Sequence, residues 1–481
     1  MTDPTATRVG AAEDALCFMD AVDLAAAIAQ GDLTAEAVLE TFLAHIAHID
    51  SRINAIPTLV PDQAREAARA ADAARERGDA LGCLHGLPIA VKDLTLTKGI
   101  RTTLGSPIYA DFVPQEDDLL VERLRRAGAI IIGKTNTPEF GAGSQTFNAV
   151  FGTTRNPYDL NRTCGGSSGG AAAALAAGLL PIADGSDLGG SLRNPAAFCN
   201  VVGLRPSPGR VPSYPTTLGW NPLAVQGPMG RTVGDTALLL SAIAGPDDRA
   251  PIAQREPGET FRRPLARHFR GVSLAWSPDL GRYPVDEAVA QVCAQALPVF
   301  ESLGCTVRHG TPDFRDADDC FQVLRAWRMA LDRQRDLEQH RDQMKDTVIW
   351  NIEQGLKLDG MAVAQAERKR TALYHRVREF MQAHEFLLLP STQVPPFSID
   401  QEYPTEINGK ALETYIDWMG VCYAITLTGL PAISVPAGFT PEGLPVGLQI
   451  VGRHQQDFAV LQLAYAFEQA TGHGRRRPSL A

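Results

Sequence analysis

With 481 residues and 44% hydrophobic composition, the chain has ample material for a large buried core. Length alone suggests about three domains of roughly 150 residues, yet large α/β sheets run longer as one unit. A formal net charge of -10 argues against a nucleic-acid backbone as partner, because such binders carry a basic face. The first eighty residues read as helices. Asp20–Gln30 opens on a capping acid and stops at Gly31, which suits a left-handed terminal turn. Thr34–Ile49 repeats Val38, Leu39, Phe42, Ile46 and Ile49 at helical spacing, and 61–77 is an Ala/Arg/Glu helix with a mostly solvated face. The pattern then changes. Leu87–Val91 and Ala129–Ile132 are short continuous apolar runs, as in strands buried on both faces, and the amphipathic helix Asp118–Ala127 lies between them. This strand–helix–strand alternation predicts βαβ units and a largely parallel sheet. Further strands are expected at Val272–Trp276, Phe386–Leu389, Ala432–Pro436 and Val446–Val451. Further helices are expected at Asp286–Leu303, Asp316–Leu337 and Asp457–Ala470. The Pro-, Asp- and Arg-rich segment 246–264 reads as a surface loop rather than a hinge, so one domain over 1–481 is expected. Within it, 1–80 would be helices packed on the core, 81–240 the chemical core, 241–420 variable substrate-side segments and 421–481 the C-terminal core.

The eight cysteines are scattered without a CxxC pair, and Cys83 with His85 lacks the further ligands of a zinc site. They read as reduced, mostly buried thiols of a cytosolic protein. The N-terminus has acidic residues and no apolar core, so no signal peptide is expected. The longest apolar stretch, Ala171–Ala183, is interrupted by Gly178 and Pro181 and is too short to span a bilayer. A cytoplasmic protein is expected.

Glycine and serine concentrate in two places. Cys164-Gly165-Gly166-Ser167-Ser168-Gly169-Gly170 runs directly into an Ala-rich helix, Ala171–Leu179. Gly185-Ser186-Asp187-Leu188-Gly189-Gly190-Ser191 runs into Leu192-Arg193-Asn194-Pro195. Both clusters suit tight turns whose backbone N–H groups face a ligand. A flexible linker is the common meaning of a Gly/Ser run, but linkers are not sandwiched between an Ala-rich helix and buried strands. GxxxxGK[ST] is absent, which removes a phosphate cradle, and the absence of GxSxG removes the nucleophile elbow. A serine hydroxyl needs a neighbouring base, and no histidine stands near either cluster. Lys92, at the end of the apolar strand, is a candidate: burial disfavours its ammonium, and its place on a buried strand weighs against the alternative, a surface lysine paired with Asp93.

In combination, G-L-P-I-A-V-K-D, G-G-S-S-G-G and G-S-D-L-G-G-S-L-R-N-P resemble the amidase signature family. The similarity extends through G-K-T-N-T-P-E-F and L-P-A-I-S-V-P-A-G over nearly the whole chain. The resemblance implies an α/β fold, a single large α/β/α domain with a twisted mixed sheet flanked by helices. It implies Ser191 as nucleophile, Ser167 as a bridging serine held by a cis peptide bond, and Lys92 as base. Backbone N–H groups of Leu188, Gly189, Gly190 and Ser191 would form the oxyanion hole, and Ser168, Asp187 and Arg193 would brace the loop. Gly141, Ala142 and Gly143 are expected to contact substrate, with further pocket walls from 210–420. Cys164 and Cys199 read as packing residues. The implied reaction is hydrolysis of a small or aryl amide through an acyl-enzyme, extending to esters and carbamates, with no metal and no cofactor. The expected partner is that small molecule, with no nucleic acid, no membrane, and a homodimer left open. Two alternatives stand beside it: a glutaminase subunit of a tRNA-dependent amidotransferase, and a catalytically silent binding protein. Leu188, where that subunit has Thr, and Thr137-Pro138, where it has Met-Asp, weaken the first; intact Lys92, Ser167 and Ser191 weaken the second.

Overall fold

Capping and spacing place the N-terminal helices where the sequence predicts them, in a computed structural model that describes residues 15–480. The expected lack of a signal peptide concerns the first residues and lies largely outside those described. Helix α1 (Ala21–Gln30) ends at Gly31 with φ 84°, and α2 (Ala35–Ile53) starts at Thr34, whose hydroxyl accepts from the Ala37 N–H. Strand β1 (Thr58–Leu59) and α3 (Pro61–Glu76) follow. Strand β2 (Pro88–Lys92), α4 (Leu119–Arg126) and β3 (Ile130–Thr135) form the expected βαβ unit. There β2 and β3 are parallel, and β1 adds antiparallel to β3, closing a small sheet of three strands.

Next come α5 (Gly169–Ala176), β4 (Ile182–Asp187), α6 (Arg193–Phe198), β5 (Val202–Arg205), β6 (Val225–Gly230) and α7 (Val233–Ile243). Beyond the loop at 246–264, which carries one short 3₁₀ turn, lie β7 (Ser273–Trp276), α8 (Glu287–Gln295), α9 (Leu297–Ser302) and β8 (Thr306–His309). The single helix expected over 286–303 is thus two: Pro298 sits in the first turn of α9, where its missing N–H costs nothing, and ends α8 before it. Three helices, α10 (Ala317–His340), α11 (Asp346–Leu356) and α12 (Gly360–Ala383), precede β9 (Phe386–Pro390). The chain closes with α13 (Gly420–Thr428), β10 (Ala432–Phe439), β11 (Pro445–Val451) and α14 (Asp457–Thr471).

Eight strands make one mixed sheet in the order β8-β7-β9-β11-β10-β5-β6-β4. Only β8-β7-β9 at one edge are parallel; the remaining pairs are antiparallel, which corrects the expectation of a largely parallel sheet. Neighbouring residues of one strand face opposite sides. Leu274, Leu388, Ile433 and Ile450 enter one apolar core, with the N-terminal helices and α5. Their neighbours Ala275, Leu387, Ala432 and Val451 enter a second, with α10, α12 and α13. Helices therefore cover both faces, giving the α/β/α layering. Among the described residues no helix is long and apolar enough to cross a membrane.

Candidate active site

Lys92 ends β2, and β2 packs beside the edge strand β4, so the small sheet and the large one meet at this residue. The side chain is fully buried, and its Nζ donates to three serine hydroxyls: Ser167 at 2.8 Å, Ser168 at 2.9 Å and Ser186 at 3.0 Å. Asp93, the competing ion-pair partner, accepts instead from the Thr103 hydroxyl and N–H. Burial lowers the Lys92 ammonium to about 7, against the opposing charges of Asp184 and Asp187. Asp184 takes the Lys92 backbone N–H at 2.8 Å, which fixes the end of the strand and not the amine.

Ser167 follows a cis peptide bond from Gly166. Two hydroxyls tie down the carbonyls of this turn: Ser144 donates to the Gly166 carbonyl at 2.6 Å, and Thr146 to that of Gly165 at 2.8 Å. Ser168 touches Lys92 directly and also takes the Ser186 N–H at 3.3 Å, a closer part than the loop brace expected of it. Sequence reasoning missed Ser186 and Asp184. Their signal was present, two polar residues at alternate positions of a buried strand, and alternation turns both toward Lys92.

Asp187 and Arg193 are both fully buried and paired bidentately, at 3.0 and 2.9 Å, and Arg205 adds a second guanidinium at 3.3 Å. Burial would raise the Asp187 carboxyl, but the Arg193 and Arg205 charges outweigh it and hold the group well below the usual carboxylate range. Arg193 also donates to the Cys422 carbonyl, Gln449 and Thr426, anchoring the loop to α13 and β11. Asp187 accepts from the N–H groups of Gly190 at 2.9 Å and Leu192 at 3.2 Å. The Gly190 N–H is therefore committed to the carboxylate, and of the four expected oxyanion donors Leu188, Gly189 and Ser191 remain. Gly190 has φ 123°, and a Cβ there would lie 2.7 Å from Cys422 Cβ, so only glycine fits.

Ser191 is partly exposed beside this turn, and its carbonyl accepts the Ser168 N–H at 3.2 Å. Among the described residues no hydrogen bond joins the Ser191 hydroxyl to Ser167. Contacts of this kind often align only in the substrate complex.

The segment expected to contact substrate divides. A Cβ on Gly141 would lie 3.4 Å from Ser167 Oγ, and one on Gly143 would lie 3.9 Å from the Tyr415 ring. Ala142, by contrast, is buried in an apolar cluster with Ala330, Met344, Val348 and Ile352, so it packs the wall and does not line the cleft. The α10 side chain Phe321 covers the other rim: a Cβ on Gly189 would lie 2.9 Å from its ring, which stacks on Tyr423 at 4.4 Å. A cavity of about 230 Å³ is lined by Ser186 together with Asp118, Gln226 and Arg328. Cys164 and Cys199 are buried, and burial pushes the Cys164 thiol up to about 12, far from a reactive thiolate. Among the described residues, no cluster of His, Cys, Asp and Glu side chains could hold a metal ion.

The Amidase family model matches residues 37–461. An acylamidase of Rhodococcus erythropolis is 36% identical over 471 residues, 97% of this chain and 98% of that one. A glutamyl-tRNA(Gln) amidotransferase subunit of Moorella thermoacetica is 34% identical, covering 97% of this chain and 99% of its own. A solved bacterial aryl acylamidase of the amidase signature family superposes with a TM-score of 0.89 at 29% identity, over 94% of this chain and 96% of that one. The chain belongs to the amidase signature family.

Proposed function

We propose that the protein hydrolyses the C–N bond of a small or aryl amide through an acyl-enzyme on Ser191. The observation that carries this reading is a wholly buried amine bonded to three hydroxyls and, among the described residues, to no carboxylate. A lysine held that way near neutrality is a base. Lys92 draws the proton from Ser167 as Ser167 takes that of Ser191, and Ser191 attacks the carbonyl carbon. The N–H groups of Leu188, Gly189 and Ser191 receive the developing oxyanion, each such donor being worth about 3 kcal/mol. The relay returns the proton to the leaving amine, and water then releases the acid by the same route. Arg193 acts on this chemistry by holding the loop, and Asp187 holds the loop while its charge opposes the lowering of Lys92. Nothing in the scheme depends on the leaving atom being nitrogen, so esters and carbamates are substrates too. Buried thiols support the cytoplasm as the place of action.

The similarity to an amidotransferase subunit supports a second reading, a glutaminase acting with partner subunits. Incubating the purified chain alone with acyl-p-nitroanilides, p-nitrophenyl esters and carbamates, and with glutamine, separates the two. Release of p-nitroaniline is expected without a partner; ammonia from glutamine and no anilide turnover would favour the glutaminase. Failure of a fluorophosphonate probe to label Ser191 would leave a binding protein.

A further inference from the structure

Helix α10 lies across the candidate site. Phe321 reaches Gly189 of the oxyanion turn, and Ala330, more than two turns on, packs with Ala142. Arg328, between them, lines the cavity that reaches Ser186. Arg325 stands one turn beyond Phe321 on the same face. It is 6% exposed, and among the described residues it forms no ion pair. Its Nη1 donates to Asn351 Oδ1 and its Nη2 to the Tyr415 hydroxyl, and the guanidinium carbon sits 5.1 Å from the centre of the Tyr415 ring. Tyr415 is the residue that faces Gly143.

The cluster holds more donors than acceptors. Asn351 gives both amide hydrogens away, to the Thr347 carbonyl at 2.6 Å and to Tyr415, and its one oxygen already takes Arg325. The Tyr415 oxygen accepts from both Arg325 and Asn351, so its own O–H must point elsewhere, and no described residue accepts it. Glu402, the carboxylate that acts on Tyr415, is already paired with Lys345 at 2.9 Å. A buried guanidinium with only neutral partners leaves its charge uncompensated, and an anion that reached it would gain a strong, charge-assisted pair of hydrogen bonds. Arg328, whose own partner Asp332 is 3.5 Å away, adds a second cation to this face.

Resting on the hydrolase reading, we propose that Arg325 and the Tyr415 hydroxyl bind a carboxylate of the substrate, so that the preferred amides carry an acid group near the scissile bond. The acid stands on the acyl side or on the leaving amine, and the test separates the two.

The rate constant kcat/KM is measured for succinic mono-p-nitroanilide against butyric p-nitroanilide, and for 4-acetamidobenzoate against acetanilide. The wild-type enzyme should prefer the acid in one pair. In Arg325→Gln that preference should fall at least about thirtyfold, chiefly through KM, as expected for removing one partner of a buried charge pair. The ratio does not depend on the fraction of enzyme that folds. Arg325→Lys, which keeps the charge without the fork, should retain part of the preference. Equal ratios in wild type and Arg325→Gln, or no acid preference in either pair, would overturn the proposal. Calorimetric binding of both acids to Ser191→Ala tests the site without turnover. Affinity lost at least tenfold in the Ser191→Ala/Arg325→Gln protein upholds the site even if no amide is cleaved, which would count against the hydrolase reading alone.

Discussion

Two lysines leave adjacent strands of the same small sheet, and both are wholly buried, yet they are solvated in different ways. Lys92 ends β2 among three serine hydroxyls, groups that can donate as well as accept. Lys134, paired in register with Val91, gives its Nζ to the Thr95 carbonyl at 2.5 Å and to Thr97 at 2.7 Å, facing the charges of Asp93, Asp184 and Asp118. A carbonyl can only accept and carboxylates favour the ammonium, so that pocket is built for a cation. Burial still lowers Lys134 to about 8, against about 7 for Lys92. The difference teaches that burial alone does not make a base; partners able to return a proton do.

The comparison breaks most severely at the far end of the relay. Ser191→Ala removes only the oxygen proposed to attack, so at least a thousandfold of the rate should vanish while the circular dichroism spectrum stays the same. Substantial residual turnover by the alanine variant would move the nucleophile elsewhere.

Lys92→Ala should cost nearly as much at neutral pH and recover partly at high pH, where hydroxide can deprotonate serine. Lys92→Arg should be equally inactive, because guanidinium is no base. The wild-type profile sharpens this. A lowered lysine is protonated and blocked below its pKa, so kcat/KM should rise through an apparent midpoint near 7, about where burial sets Lys92, and level off above it. A profile flat from pH 6 to 9 would remove Lys92 as the base. Ser167→Ala comes next, with about a hundredfold loss concentrated in kcat, since the relay acts in the transition state and water can replace it in part. A near-wild-type Ser167→Ala would make this serine one more small residue in a glycine turn.

How much of this is legible in the sequence follows the same division. Lys92, Ser167 and Ser191 are legible through the resemblance of three motifs taken together, since a Gly/Ser run by itself commonly reads as a linker. Helices α1 to α4 and strands β2, β3 and β7 announce themselves by caps and periodicity. Strands β4, β5 and β6 carry Asp, Gly, Gln and Pro in place of an apolar run, because they serve the site as much as the sheet, and pattern passes over them. Pattern passes over helices α11 and α12 too: the first is short, with Gly355 in its last turn, and the second is strongly charged. The rim of the site depends on contacts between distant segments, Phe321 over Gly189 and Tyr415 over Gly143, and no local spacing encodes them. The Gly190 N–H shows the limit within a motif: the glycine is identifiable, but its use by Asp187 depends on how the turn closes.

The smallest effect on rate belongs to Lys134→Met, the control for the opening comparison. Lys134 touches neither Ser167 nor Ser191, and the charges acting on Lys92 are those of Asp184 and Asp187. Removing the Lys134 cation leaves Asp93, Asp184 and Asp118 without the opposing charge that lowers each of them. Those carboxyls then either ionise without compensation or take up protons, and a buried charge stripped of its partner costs about 3–5 kcal/mol. Thermal unfolding should therefore fall by several degrees, while kcat/KM keeps its rise with pH, the midpoint moving down only as far as Asp184 takes up a proton and ceases to favour the Lys92 ammonium. The same substitution at Lys92 should do the reverse, removing the titration and sparing or even raising the melting temperature, since methionine relieves a buried amine of its desolvation. If Lys134→Met instead abolished the pH dependence at unchanged stability, the two lysines would have exchanged roles, and the base would have to be sought on β3.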